Sequence, residues 1–224
     1  MRAYDQRRIG RLCGVADHPS SAVSCEAAST HAQGVSESDM AIQFGVGKSK
    51  VFPADKAGSL VTSLRRLVQS PAKLADRLSL SADAWVLEVG CGPGYFSPTL
   101  AERIPEGQLV VVDLQREMLQ LARVRLDGCG EVVQGDAQAL PLRSASFDAV
   151  VVILVLGEVP DRERFLCEVR RVLRPGATAL FAETRRDSDF IPFADLIALV
   201  EPHGFNLIGR WGWSWEYTAS FAAM

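Results

Sequence analysis

Three glycines at alternate positions stand in the run Val86-Leu87-Glu88-Val89-Gly90-Cys91-Gly92-Pro93-Gly94. Without a Cβ, Gly90, Gly92 and Gly94 let a ligand approach the backbone and let the turn enter the φ > 0 region. The run lies where a strand is predicted to end and a helix to begin, so the first N–H groups of that helix face an anionic group. Glu88 comes just before the first glycine. A plain tight turn uses glycine as well, so the loop needs further signals beside it. A dinucleotide-binding turn wants Gly or Ala three residues after its second glycine. Tyr95 stands there, and its bulk would hold helix and strand apart.

Two further acids end predicted strands. Asp113 directly follows Leu109–Val112, about 20 residues past the loop, where an acid accepts hydrogen bonds from a ribose diol. An N-cap for a helix over Gln115–Arg125 competes with that role. Asp136, in Gly135-Asp136-Ala137, ends the third strand. An acid and the next backbone N–H there can hold an adenine edge, and a turn aspartate is the alternative. Glu158 follows the fourth strand and is the candidate general base, with an exposed loop acid as the competing reading. Arg185 and Arg186 after the fifth strand can orient an anionic group or form a solvated charge run. Trp211, Trp213 and Trp215 suggest a hairpin with one aromatic face, either sheet packing or an apolar substrate wall.

These residues need a scaffold that brings strand ends to one edge. After Asp83 the chain alternates apolar strands with amphipathic helices. The strands are Trp85–Val89, Leu109–Val112, Val132–Gln134, Ala149–Val155 and Ala177–Ala182. Runs of Val, Ile and Leu without alternation are buried on both faces, which marks a parallel sheet covered by helices. One helix carries Leu114, Met118, Leu121 and Ala122; another carries Phe165, Leu166, Val169, Val172 and Leu173 and ends at Pro175-Gly176. A last helix near Phe190–Val200 precedes two final strands, Asn206–Trp211 and Trp215–Phe221, joined by a short turn. Ahead of the core, Leu60, Leu64, Leu67 and Val68 share a helical face, and Ser70-Pro71 restarts a helix with Ser as N-cap. Residues 1–47 lack periodic apolar residues and read as a disordered tail. The domain is therefore drawn as 48–224, with leading helices over 54–80 and the α/β core over 84–224.

Composition bounds the function. The 224 residues are 48% hydrophobic and 23% charged with net charge −3, a globular chain without the basic field that collects nucleic acid. No apolar run approaches the roughly 20 residues that span a bilayer, and the Arg-bearing N-terminus has no apolar signal core. The five cysteines are odd in number and form no close pair, which argues against a disulfide framework or thiolate zinc site and for a cytoplasmic location. No His/Cys/Asp cluster suggests a metal. Gly47-Lys48-Ser49 resembles the end of a phosphate loop, but Ile42 stands where its first glycine belongs.

The ordered set Leu-Glu-Val-Gly-Cys-Gly-Pro-Gly from 87, Val-Asp-Leu at 112–114, Gly-Asp-Ala at 135–137, Ser-Phe-Asp at 146–148, Leu-Gly-Glu-Val-Pro-Asp from 156 and Glu-Val-Arg-Arg-Val-Leu-Arg-Pro-Gly from 168 resembles the class I S-adenosylmethionine-dependent methyltransferases. The likeness is greatest to the branch holding the ubiquinone and menaquinone C-methyltransferases. It implies a doubly wound, mostly parallel seven-stranded α/β sheet whose last strand is antiparallel. It implies that S-adenosyl-L-methionine is the cofactor, with Gly90, Gly92 and Gly94 flanking its methionine part. Asp113 would hold the ribose, Asp136 and Ala137 the adenine, and Glu88 and Leu114 join the cofactor-binding set. Many relatives carry His after the fourth strand where this chain has Gly157-Glu158. The implied activity is methyl transfer to a small-molecule acceptor, mainly by alignment of acceptor and sulfonium, by a monomer or homodimer. A non-catalytic cofactor-binding protein and, more distantly, a nicotinamide-dependent oxidoreductase are the alternatives.

Overall fold

A computed structural model describes residues 70–224. The tail over 1–47 and the helical pattern of Leu60, Leu64, Leu67 and Val68 lie outside the described residues. Helix α1 spans Pro71–Asp76. Ser70 occupies its N-cap position, yet no side-chain hydrogen bond caps the helix; the fixed φ of Pro71 is what starts it. Then follow β1 (Trp85–Val89), α2 (Ser97–Arg103), β2 (Gln108–Asp113), α3 (Arg116–Leu126), β3 (Glu131–Gln134), β4 (Phe147–Ile153), α4 (Arg162–Val172), β5 (Leu173–Thr184), α5 (Phe193–Val200), a 3₁₀ turn (Glu201–His203), β6 (Phe205–Trp213) and β7 (Glu216–Ala223).

The seven strands form one sheet in the order β3-β2-β1-β4-β5-β7-β6. The first five pair in parallel, while β7 runs antiparallel to both β5 and β6. The sheet is thus mixed, and β6 still points the same way as β1, β4 and β5. Successive residues of a strand alternate between two buried layers. Leu87, Val89, Val150 and Val152 pack with α4 and α5, whereas Val86, Val111, Ala149 and Val151 pack with α1, α2 and α3. Both faces are covered, which is why these strands read as unbroken apolar runs.

Several boundaries differ from the sequence reading, and three of the differences bear on the site. Strand β4 stops at Ile153 because Leu154 takes φ 58 and turns the chain off the sheet. Helix α4 stops at Val172, where Leu173 is already extended with φ −73 and ψ 140. Pro175-Gly176 therefore sits inside β5, at the shift in register between Phe147 and Ala149. The N-cap position of α3 is held by Gln115, without a side-chain cap hydrogen bond, two residues after Asp113, so Asp113 is not its N-cap. Among the described residues no helix is long and apolar enough to cross a membrane.

Candidate functional site

The glycine loop crosses the carboxyl end of β1. The N–H groups of Gly90 and Cys91 both donate to the Val112 carbonyl of β2, at 2.7 and 3.1 Å, which fastens the loop over the gap between the strands. Gly90 and Gly92 have φ of 68 and 53. A Cβ on Gly90 would meet Val155 Cγ2 at 2.3 Å, so the β4 loop closes that side. A Cβ on Gly92 would meet nothing within 4 Å. The loop is therefore braced from below and open above its middle glycine.

Glu88 lies under this loop, not in it. It is 2% exposed, and its Oε2 accepts the Ser97 hydroxyl at 2.6 Å. Burial pushes its carboxyl up to about 8, opposed by the Ser97 hydrogen bond and aided by the nearby Asp113 charge. An acid that keeps its proton near neutrality can stay buried without a counter-charge. Its contact with the first residue of α2 fixes where that helix starts.

Asp113 ends β2, and its carboxylate joins the two halves of the site. One oxygen accepts the Gly92 N–H at 2.8 Å and the other accepts the Gln115 N–H at 2.8 Å. Burial raises its carboxyl above the usual range, and the hydrogen bonds from Gln115 and Gly92 pull it back. Leu114, next along, is exposed, an apolar surface beside the Asp113 carboxylate. At the end of β3 the Asp136 carboxylate is engaged in its own turn, where Oδ1 accepts the Gln138 N–H at 2.8 Å. Ala137 is half-buried against the core. The sheet thus brings Glu88, Gly90, Gly92, Asp113 and Leu114 together at one edge, with Asp136 and Ala137 on the adjacent strand end.

Glu158 stands beyond β4, half-buried, with its N–H donated to Val155. The preceding Gly157 explains the departure at this place. A Cβ there would lie 2.0 Å from the Asp189 carbonyl oxygen, so the loop after β5 presses on this one. Sequence reasoning missed Glu183, the penultimate residue of β5, which is 2% exposed. Burial pushes it up to about 8; the Ile191 backbone hydrogen bond and Arg162 oppose this, while Asp187 and Glu158 add to it. Tyr217, its partner in register on β7, donates its hydroxyl to the Ile191 carbonyl at 2.7 Å. Glu183 and Tyr217 together clamp the loop over Glu158. The signal was available: Glu183 is an acid closing an apolar strand, as Asp113 is.

The β6–β7 turn lies at this same edge, because β6 is parallel to β5 and Trp213 and Thr184 both pair with Glu216. Trp211, Trp213 and Trp215 are 37%, 71% and 45% exposed, so they do not pack the sheet interior. The Arg185 N–H donates to the Trp215 carbonyl at 2.8 Å, and Arg185 and Arg186 are exposed. His203 sits at the opposite end of β6, with Nδ1 2.9 Å from the Leu199 carbonyl, away from the site. Among the described residues no group of three or more His, Cys, Asp or Glu side chains converges for a metal. Cys91 is a buried thiol whose pKa burial drives up, which removes it as a nucleophile. Cys129 is free, while Cys167 is disulfide-bonded, a pairing that the odd number and wide spacing of the cysteines argued against.

Residues 87–181 match the family of the methyltransferase domain. They are a class I methyltransferase domain. Its cofactor is S-adenosylmethionine. The chain is 37% identical over 114 residues to the ubiquinone/menaquinone biosynthesis C-methyltransferase UbiE of Hahella chejuensis, covering 48% of this chain and 46% of that protein. It is 41% identical over 101 residues to a fatty-acid O-methyltransferase of Mycolicibacterium smegmatis, covering 45% of this chain and 37% of that one. The chain thus spans half or less of the length of these relatives. A solved S-adenosylmethionine-dependent methyltransferase from Aquifex aeolicus has the same fold, with a TM-score of 0.70 and 20% identity over 78% of this chain and 100% of that one. The methyltransferase domain fits its cofactor on three counts: the open side of Gly92, the Asp113 carboxylate beside it, and the shielded Tyr95 hydroxyl in the loop, which has no hydrogen-bond partner.

Proposed function

We propose that this protein binds S-adenosylmethionine across the carboxyl ends of β1, β2 and β3 and passes its methyl group to a small-molecule acceptor. The observation that carries this reading is the Gly92–Asp113 contact, which sets the Asp113 carboxylate against a loop with open space above it. In this reading Gly90, Gly92 and Gly94 flank the methionine part, Asp113 takes the ribose hydroxyls, and Leu114, Asp136 and Ala137 border the adenine. Glu88 acts through Ser97 by holding the start of α2.

The bound cofactor supplies a methyl group already activated on a sulfonium. The chain's task is to hold the acceptor in line and exclude water, and such alignment is worth about 7–11 kcal/mol in favourable cases. Glu158 takes a proton where the acceptor is a phenol, enol or carbon acid, and Glu183 holds the neighbouring loop in place. The exposed tryptophans at the β6–β7 turn favour an apolar or aromatic acceptor. The domain over 48–224, a chain that is monomeric or homodimeric, and a cytoplasmic location belong to the same proposal; the free thiols of Cys91 and Cys129 support the last, and the disulfide of Cys167 weighs against it.

Calorimetric titration with S-adenosylmethionine, S-adenosylhomocysteine and the nicotinamide dinucleotides tests the cofactor reading. Binding of the first two alone is the expected result, and tight dinucleotide binding without them overturns it. Label transfer from methyl-labelled cofactor to an acceptor panel then separates an enzyme from a cofactor-binding protein.

A further inference from the structure

A second concavity opens on the sheet face that carries α1, between that helix and the β6–β7 hairpin, and Ser70, Lys73, Arg77, Trp211, Glu216 and Thr218 line it. Glu216 and Thr218 of β7 pair directly with Trp213 and Trp211 of β6, so all four side chains share the face toward α1. Strand β7 is three strands from β1 in the sheet, or about 14 Å at the usual strand spacing. The cleft is therefore distinct from the cofactor loop, yet Glu216 sits at the carboxyl edge, paired with Thr184 at the end of β5.

Its chemistry is specific. The Arg77 guanidinium donates to Thr218 Oγ1 and lies 5.4 Å from the centre of the Trp211 ring. Lys73 adds a second cation to the lining, and the charges of Arg186 and Arg77 both act on Glu216. Glu216 Oε2 is shielded from solvent and accepts no hydrogen bond. A shielded carboxylate oxygen calls for a donor, and the two cations of the lining, Lys73 and Arg77, outnumber its one carboxylate, which leaves a net positive field. The walls thus ask for an O–H donor at Glu216, an anion at Lys73, and a ring or apolar body on Trp211.

We infer that this cleft is a recognition subsite for the far end of the acceptor, taking an aromatic group that carries both an anion and a hydroxyl. The inference rests on the methyl-transfer reading and adds to it the class of acceptor. An acceptor seated here must be long enough to span from β7 to the methyl group over β1, so the site selects for length as well as charge.

Calorimetry on the full chain tests this with 4-hydroxyphenylacetate, phenylacetate and tyramine as probes. The first should bind saturably, phenylacetate about tenfold more weakly for want of one hydrogen bond to a charged group, and tyramine more weakly still because its charge is reversed. Lys73→Ala should weaken both acids and spare tyramine. Glu216→Gln should shrink the advantage of the hydroxylated acid over phenylacetate, and Trp211→Leu should weaken all three. Circular dichroism on each variant reports folding. No saturable binding of 4-hydroxyphenylacetate to the wild type, or equal binding by wild type and all three variants, overturns the subsite. S-adenosylmethionine titrated into the same wild-type sample reports on the cofactor site separately, so the two readings fail independently.

Discussion

The Asp113 carboxylate accepts the N–H of Gly92, 21 residues earlier in the chain, at 2.8 Å. Through this bond the end of β2 sets the height of the glycine loop over β1. The second oxygen accepts the Gln115 N–H at 2.8 Å, so one side chain ties the glycine loop to the start of α3.

Asp113→Ala is expected to weaken S-adenosylmethionine binding by the loss of charge-assisted hydrogen bonds worth about 1.5–3 kcal/mol each. It should also cost about 1 kcal/mol of stability, the usual effect of losing a bond at a helix start. Asp113→Asn keeps one carbonyl oxygen for a backbone N–H and should recover more of the stability than of the affinity. Calorimetry and thermal melts on both variants check this; unchanged affinity in Asp113→Ala removes the ribose role.

Gly92→Ala separates folding from binding. The added methyl meets nothing within 4 Å in the protein, and the positive φ costs about 1–2 kcal/mol. The variant should fold, with a modest fall in melting temperature, and lose at least about tenfold in cofactor affinity, or 1.4 kcal/mol. Wild-type affinity would show that no ligand approaches this side of the loop.

Glu158→Gln should lower turnover by about 10²–10⁴-fold if Glu158 takes the acceptor proton, with cofactor affinity nearly unchanged. Turnover within a few-fold of wild type leaves methyl transfer to alignment alone. The rate is measured with the acceptor that label transfer identifies.

Stability should fall as pH rises through the range set by the buried acids. Burial lifts Glu88 and Glu183 from 4.5 to about 8 in the folded chain. Below 4.5 both states are protonated and the contribution is complete. Between 4.5 and about 8 the unfolded chain releases protons that the folded chain keeps, so stability declines, and above 8 the contribution is lost. Asp187, Glu158 and Arg162 face Glu183, and Glu183→Gln cannot ionise. Its melting temperature should change less than the wild type's across this range; equal slopes would show that Glu183 is not a titrating group there.

Much of the frame was legible along the chain, since strands buried on both faces must be written as unbroken apolar runs. Trp85–Val89 was read to its ends, Asp113 is the last residue of β2, and the three-glycine loop and Asp136 follow their strands within one or two residues. Local order alone put these at strand ends, and parallel strands place all such ends at one edge. Boundaries set by long-range contact were not legible: β4 ends where Leu154 turns with positive φ, and Pro175-Gly176 is drawn into β5 by its pairing with β4. The need for Gly157 depends on Asp189, 32 residues away.

What the tertiary structure alone decided is the environment of each charge. Glu88, Glu158, Glu183 and Glu216 are the same residue type, and each follows or closes an apolar stretch. Packing makes Glu88 a buried brace for Ser97 and Glu183 a buried clamp on the loop near Glu158, and leaves Glu216 with an unmet oxygen in a cationic cleft. A carboxyl group's function depends on its desolvation and on which donors and charges surround it, and those neighbours come from strands and helices distant in sequence. The residue types and their order along the chain carry the chemistry, whereas only the closing of the sheet and its helices determines which acids keep a proton and which face a ligand.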